Sequence, residues 1–97
     1  MRIDWSPLAK ADRNAIFDYI EEQNLVAAIA VDEQIEIQTD RLLDFPESGR
    51  LGRIPNTREL IITHTPYIAA YTIREDVVLV LRVLHGSQLW PDELPDE

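Results

Sequence analysis

The side chains of this chain limit its chemistry to a few options. Its 97 residues contain no cysteine and two histidines, which excludes disulfides, thiolate metal sites and cysteine nucleophiles. No HExxH-type spacing occurs, and two histidines do not build a metal site without carboxylate help, so neither a metal nor another cofactor is expected. What remains is cationic and acid–base chemistry. Every basic residue after position 40 is an arginine (Arg41, Arg50, Arg53, Arg58, Arg74 and Arg82), and the only lysine is Lys10. Arginine suits fixed, bidentate contacts to carboxylates or phosphates. On the plainer reading, most of these arginines form salt bridges to the acidic first half. On the catalytic reading, metal-free acid–base chemistry needs a base, an acid and charge-stabilising cations around one reacting group. The candidates are Arg58, Arg82 and His85, with Glu47 or Glu59 as a partner carboxylate. Strand alternation argues against their convergence. It sets Arg82 with Val78, Val80 and Leu84, and His85 with Leu79, Leu81 and Val83 on the opposite face, unless a bulge intervenes. His85 therefore reads as a strand-end residue and His64 as an exposed turn residue.

The elements that must position these residues are legible in outline. Ser6 and Pro7 read as an N-cap and a first helical residue. Leu8, Ala11, Ala15, Ile16, Tyr19 and Ile20 then recur at three-and-four spacing, which predicts a helix with this stripe facing inward. Asp12, Asp18, Glu21 and Glu22 fall largely away from it and read as a solvated face. Asn24 caps a second helix that carries Ala28, Val31, Ile35 and Leu42 on its inner side. The pair makes an αα-hairpin. It ends at LDFP, residues 43–46, because a residue before proline is driven towards extended conformations.

Residues 47–57, ESGRLGRIPNT, lack periodicity and read as an exposed loop. Three β-branched-rich runs follow, 58–63, 67–74 and 77–85, and predict an antiparallel meander. Residues 3–5 can add a short fourth strand. The last run is apolar on both faces, as suits an interior strand covered on both sides. In the middle run Tyr67 and Tyr71 share a face with Ala69 and Ile73, which either packs on the hairpin or lines a groove for a partner helix or strand. The expected fold is α+β: a short N-terminal strand and an αα-hairpin on a mainly antiparallel sheet of three to four strands. Residues 1–91 form one domain, and 92–97 an acidic tail.

With 45% hydrophobic residues a chain of this length predicts one compact globule. Its 18 acidic and 9 basic residues give a net charge of -9, which repels phosphate backbones and anionic membranes at long range. The charge is unevenly spread: -6 over residues 1–40, +1 over 41–91 and -4 over 92–97. Neither a basic-then-apolar leader nor a run of about 20 apolar residues occurs, so a cytoplasmic location and no membrane partner are expected.

Local signatures add to this. WSPLAKAD at 5–12, DYI at 18–20, RLLDFPESGR at 41–50, GRIPNTREL at 52–60, PYIAAY at 66–71 and VLRVLHGSQLWP at 80–91 follow in order. In this order and spacing the chain resembles the RelE/ParE superfamily of bacterial toxins, and more closely its ParE-like, plasmid-stabilisation branch. The resemblance covers nearly the whole chain. It implies the toxin of a type II toxin–antitoxin pair, bound by a ParD-like antitoxin in a hetero-oligomer.

Within that superfamily, RelE-like members cleave ribosome-bound mRNA, whereas ParE-like members poison DNA gyrase. RelE-like nucleases use a lysine-rich surface, and here residues 41–91 contain no lysine. The expectation is therefore a gyrase inhibitor without catalytic residues of its own and without sequence-specific DNA binding by this chain alone. Its target-binding residues would be Arg50, Arg53, Arg58, Arg74 and Trp90, and its antitoxin-binding residues Tyr67 and Tyr71. The alternatives are a ribosome-dependent mRNA endonuclease using Arg58, Arg82 and His85, and a non-toxic module that keeps only the antitoxin grip.

Overall fold

A computed structural model of the chain describes residues 1–95; Asp96 and Glu97, the end of the expected acidic tail, lie outside the described residues. The elements run β1 (Arg2–Trp5), α1 (Pro7–Glu21), α2 (Leu25–Asp40), a 3-10 turn (Arg41–Leu43), β2 (Arg50–Leu51), β3 (Arg58–Ile61), β4 (Tyr67–Arg74) and β5 (Val77–His85). The strands form one sheet in the order β1-β5-β4-β3-β2. β1 runs parallel to β5 and the other neighbours are antiparallel. The sheet thus has five strands, because two residues of the expected loop, Arg50 and Leu51, pair with Glu59 and Arg58.

Both helices begin as their caps dictate. Ser6 Oγ accepts the Ala9 amide at 3.1 Å, and Asn24 Oδ1 accepts the Ala27 amide at 3.0 Å. Ser6 also ties the helix to the sheet, donating its hydroxyl to Leu81 O at 2.8 Å and its amide to Val80 O at 2.9 Å. Gln38 does the same for α2. Its side chain accepts the Thr63 amide at 2.9 Å and donates to Thr63 O at 3.1 Å. The core between helices and sheet is filled by Tyr71, Ile35, Leu42, Ile62, Val78, Val80 and Val83.

The inner face of α1 differs from the expected stripe. Ala9 is buried and Ile16 and Ile20 pack on the core, whereas Leu8, Ala11, Ala15 and Tyr19 face outward, Tyr19 at 72% exposure. Asp12, expected on the solvated side, instead points at β5. The reason is the early end of β1: past Trp5 the edge of β5 has no strand partner, and the Asp12 carboxylate accepts the open Val83 amide at 2.9 Å. Arg13 serves as a strut, forking onto Asp32 at 3.0 and 2.9 Å and lying 4.7 Å from the Trp5 ring.

A bulge interrupts β5. Tyr71 pairs with Val80 and Ala70 with Arg82, leaving Leu81 as the extra residue. The alternation expected for a regular strand fails there. His85 and Val83 share the face of Val80 and Val78, opposite Tyr67, Ala69, Tyr71 and Ile73 on β4.

Candidate functional site

Glu59 is the centre of the arginine cluster. It sits on β3 directly opposite Arg50 and is 2% exposed. Its Oε1 accepts Arg50 Nη2 at 2.8 Å and Nε at 3.1 Å, and Arg53 Nη2 at 3.2 Å. Its Oε2 accepts the Arg53 amide at 2.8 Å and Arg53 Nε at 3.1 Å. Burial by itself would raise the carboxyl's pKa, but the hydrogen bonds from Arg53 side chain and backbone and from Arg50 prevail and lower it from 4.5 to about 2. A carboxylate held so low is a weak general base, which removes Glu59 from the acid–base candidates. Its effect is to lock two guanidiniums in place while they stay half exposed, at 51% and 41%.

Trp90 joins this cluster from the chain's far end. The Arg53 guanidinium carbon lies 3.7 Å from the centre of its ring, a stacked cation–π contact. The indole N–H points to His85 O at 3.4 Å, which turns the segment after β5 back onto the sheet.

Arg58 belongs to the opposite face. It pairs with Tyr71, and its Nη1 donates to Gly49 O at 2.8 Å and Glu47 O at 3.1 Å. The Tyr71 hydroxyl donates to Pro46 O at 2.7 Å and accepts the Gly49 amide at 3.0 Å. Three loop residues, Pro46, Glu47 and Gly49, are thereby fastened to the sheet. Only glycine fits at position 49, since a Cβ there would stand 2.6 Å from the Tyr71 hydroxyl. Beside this lies an open cleft of about 510 Å³, walled by Leu51, Ile54, Pro55, Arg58, Thr72 and Ile73 among others.

The expected residues thus divide. Arg50, Arg53 and Trp90 come together; Arg58 projects from the other face of the same strands. Arg74 sits at the β4–β5 turn, about 13 Å along β4 from Ala70, the partner of Glu59. Tyr67 and Tyr71 are buried, with Tyr71 wholly enclosed, so they form core and not an open groove. Their hydroxyl pKa values are both raised by burial.

The three residues named for RNA cleavage do not meet. Arg82 forks onto Asp12 at 2.7 and 2.9 Å, which raises its pKa further. His85 lies edge-on to Tyr67 at 5.6 Å and accepts the Ser87 amide on Nδ1 at 3.1 Å. Arg58 pairs with Tyr71 and His85 with Tyr67, which puts their Cα atoms about 16 Å apart across two strand spacings. Among the described residues no group of three or more metal-ligating side chains is gathered. The arginines also depart from the plain expectation of salt bridges to the acidic first half. Arg82 makes one, to Asp12, whereas Arg50 and Arg53 turn to Glu59 in their own segment and Arg58 to backbone carbonyls. The sequence signal for the cluster is the opposite charges of Arg50 and Glu59, which the two-residue strand β2 sets opposite each other as a cross-strand pair.

Comparison with known proteins agrees with this architecture. Residues 3–90 match the family described as ParE toxin of the type II toxin–antitoxin system parDE. The chain is 42% identical over 93 residues to Y4kP of Sinorhizobium fredii, covering 96% of each chain. It is 32% identical over 88 residues to Toxin RelE2 of Caulobacter vibrioides, covering 91% of this chain and 98% of that one. Among solved structures, a chain of the chromosomal ParDE system from P. aeruginosa superposes with a TM-score of 0.79 at 25% identity, covering 88% of this chain and 95% of that one. This protein is a member of the ParE toxin family of type II toxin–antitoxin systems.

Proposed function

We propose that the chain poisons DNA gyrase in the cytoplasm and is neutralised by a ParD-like antitoxin, with no chemistry performed by its own side chains. The observation that carries this reading is the dispersal of the acid–base candidates. Arg82 is committed to Asp12, Arg58 to two carbonyls, and His85 stands about 16 Å from Arg58. Metal-free RNA cleavage needs these groups around one phosphate.

A binding role needs the reverse, a rigid and accessible surface. Arg50 and Arg53, fixed by Glu59 and Trp90, supply one. In this reading they hold gyrase, and the bound toxin traps its cleaved-DNA intermediate. The antitoxin occupies apolar residues that the hairpin leaves uncovered, such as Val26 at 76% exposure together with Tyr19, Ile29 and Ile37.

The test is a supercoiling assay with purified protein. Inhibited supercoiling with accumulation of cleaved DNA is expected. Unchanged gyrase at toxin excess, with mRNA cut in the ribosomal A site instead, would establish the nuclease. Unchanged growth on induction of soluble protein without its antitoxin would establish the non-toxic module.

A further inference from the structure

Residues 48–63 hold three arginines and one carboxylate, a charge of +2, so the rest of this -9 chain carries -11. That positive segment is also where the sheet ends, since β2 is an edge strand. Its register determines what the edge offers. Gly52 donates its amide to Thr57 O at 2.8 Å, and the pairing continues through Leu51 with Arg58 and Arg50 with Glu59. Hydrogen-bonded and non-hydrogen-bonded pairs alternate in an antiparallel ladder. Leu51 is accordingly a non-hydrogen-bonded position, with its N–H and C=O directed away from β3.

Side chains alternate about the same edge. On one face stand Arg50 and Arg53, locked by Glu59; neither Nη1 has a hydrogen-bond partner among the described residues. On the other face Leu51 is 79% exposed beside Arg58 at the mouth of the 510 Å³ cleft.

We infer that this edge receives an extended protein segment of alternating acidic and apolar residues, added as a strand against Leu51. Its carboxylates meet the Arg50 and Arg53 forks, and its apolar side chains, one residue out of phase, meet Leu51 and the cleft. A nucleic-acid strand is the poorer occupant. The -11 remainder repels a polyanion at long range, whereas a peptide brings few charges and also fills the apolar wall. Glu59 acts as a positioning residue, because it aims both forks without touching the partner. The inference deepens the reading of residues 50–58 as target-binding. Its test reads the surface without gyrase, so failure of either leaves the other standing.

The probe is acetyl-Glu-Leu-Glu-Leu-Glu-Leu-amide, titrated into the isotope-labelled full chain and followed by NMR. Shifts centred on the Leu51 amide and the Nε–H groups of Arg50 and Arg53 are expected, with the matching Gln-Leu peptide at least about tenfold weaker. Leu51→Pro removes the outward N–H at an edge position that tolerates proline, and should weaken binding about tenfold. Should that variant fail to fold, Arg50→Gln decides, with a loss of about tenfold. The inference is overturned by shifts centred elsewhere, by equal binding of the Gln-Leu peptide, or by unchanged binding to Arg50→Gln. Tighter binding of a ten-residue oligothymidylate at the same arginines also overturns it.

Discussion

Replacing Glu59 by Gln isolates what one buried charge contributes. The carboxylate accepts five hydrogen bonds from Arg50 and Arg53, and its pKa falls from 4.5 to about 2. That difference corresponds to about 3 kcal/mol at neutral pH. The two guanidiniums are half exposed and are partly taken over by water when the charge is lost, which lowers the expected cost to about 2 kcal/mol. For a domain of this size such a loss lowers Tm by about 10 °C.

The pH dependence has a definite sign. A carboxyl with a depressed folded-state pKa stabilises the fold fully above its unfolded value of 4.5, and the contribution is lost as pH falls from there through about 2. Urea melts of wild type and Glu59→Gln should therefore differ by about 2 kcal/mol at pH 7 and by under about 1 kcal/mol at pH 2. A gap that stays constant over this range would refute the reasoning. So would a gap below about 0.5 kcal/mol at pH 7.

Asp12→Asn should cost about 1–3 kcal/mol in the same melts, because Arg82 loses its charge partner at the open edge of β5. Tyr71→Phe removes the hydroxyl that bridges Pro46 O and the Gly49 amide; a loss of about 1–2 kcal/mol is expected, with faster amide exchange at Gly49. If the chain inhibits gyrase as proposed, His85→Ala should leave that inhibition unchanged, and a loss of more than about tenfold in a supercoiling assay would show that the histidine takes part.

What the sequence discloses depends on the range of the interaction concerned. The caps at Ser6 and Asn24 are local, and both helices start where those residues require. The β4 and β5 runs were equally legible from their β-branched residues. The bulge at Leu81 was not, because nothing within VVLVLRVLH distinguishes a regular strand from a bulged one. Leu81 O takes the Ser6 hydroxyl, and the Val83 amide goes to Asp12. Both partners lie some 70 residues away in the chain. The same long-range demand explains α1. Periodicity favoured the stripe through Leu8, Ala11 and Tyr19, but the sheet needed a carboxylate at position 12 and turned the helix accordingly. For the site, residue type marked the arginines, but the two-residue strand β2 decided that Arg50 and Arg58 face opposite ways.

The exclusive use of arginine after position 40 has a physical reason in these contacts. Arg50, Arg53 and Arg82 each direct two side-chain nitrogens at one carboxylate, a fork that the single ammonium of lysine does not reproduce. Arg53 also lays its flat face on Trp90. Lysine in its place would keep the charge and lose the stacking and the fixed direction. A surface made for loose attraction to RNA has no need of that rigidity, since phosphate attraction is largely a matter of charge count and salt. A surface that holds one protein in one register does, because the order of its side chains is set before the partner arrives. The acidic remainder of the chain reinforces the distinction by opposing any polyanion that approaches the arginines. Net charge thus disfavours a polyanion, while the local geometry of Arg50 and Arg53 favours a protein surface that presents a few carboxylates.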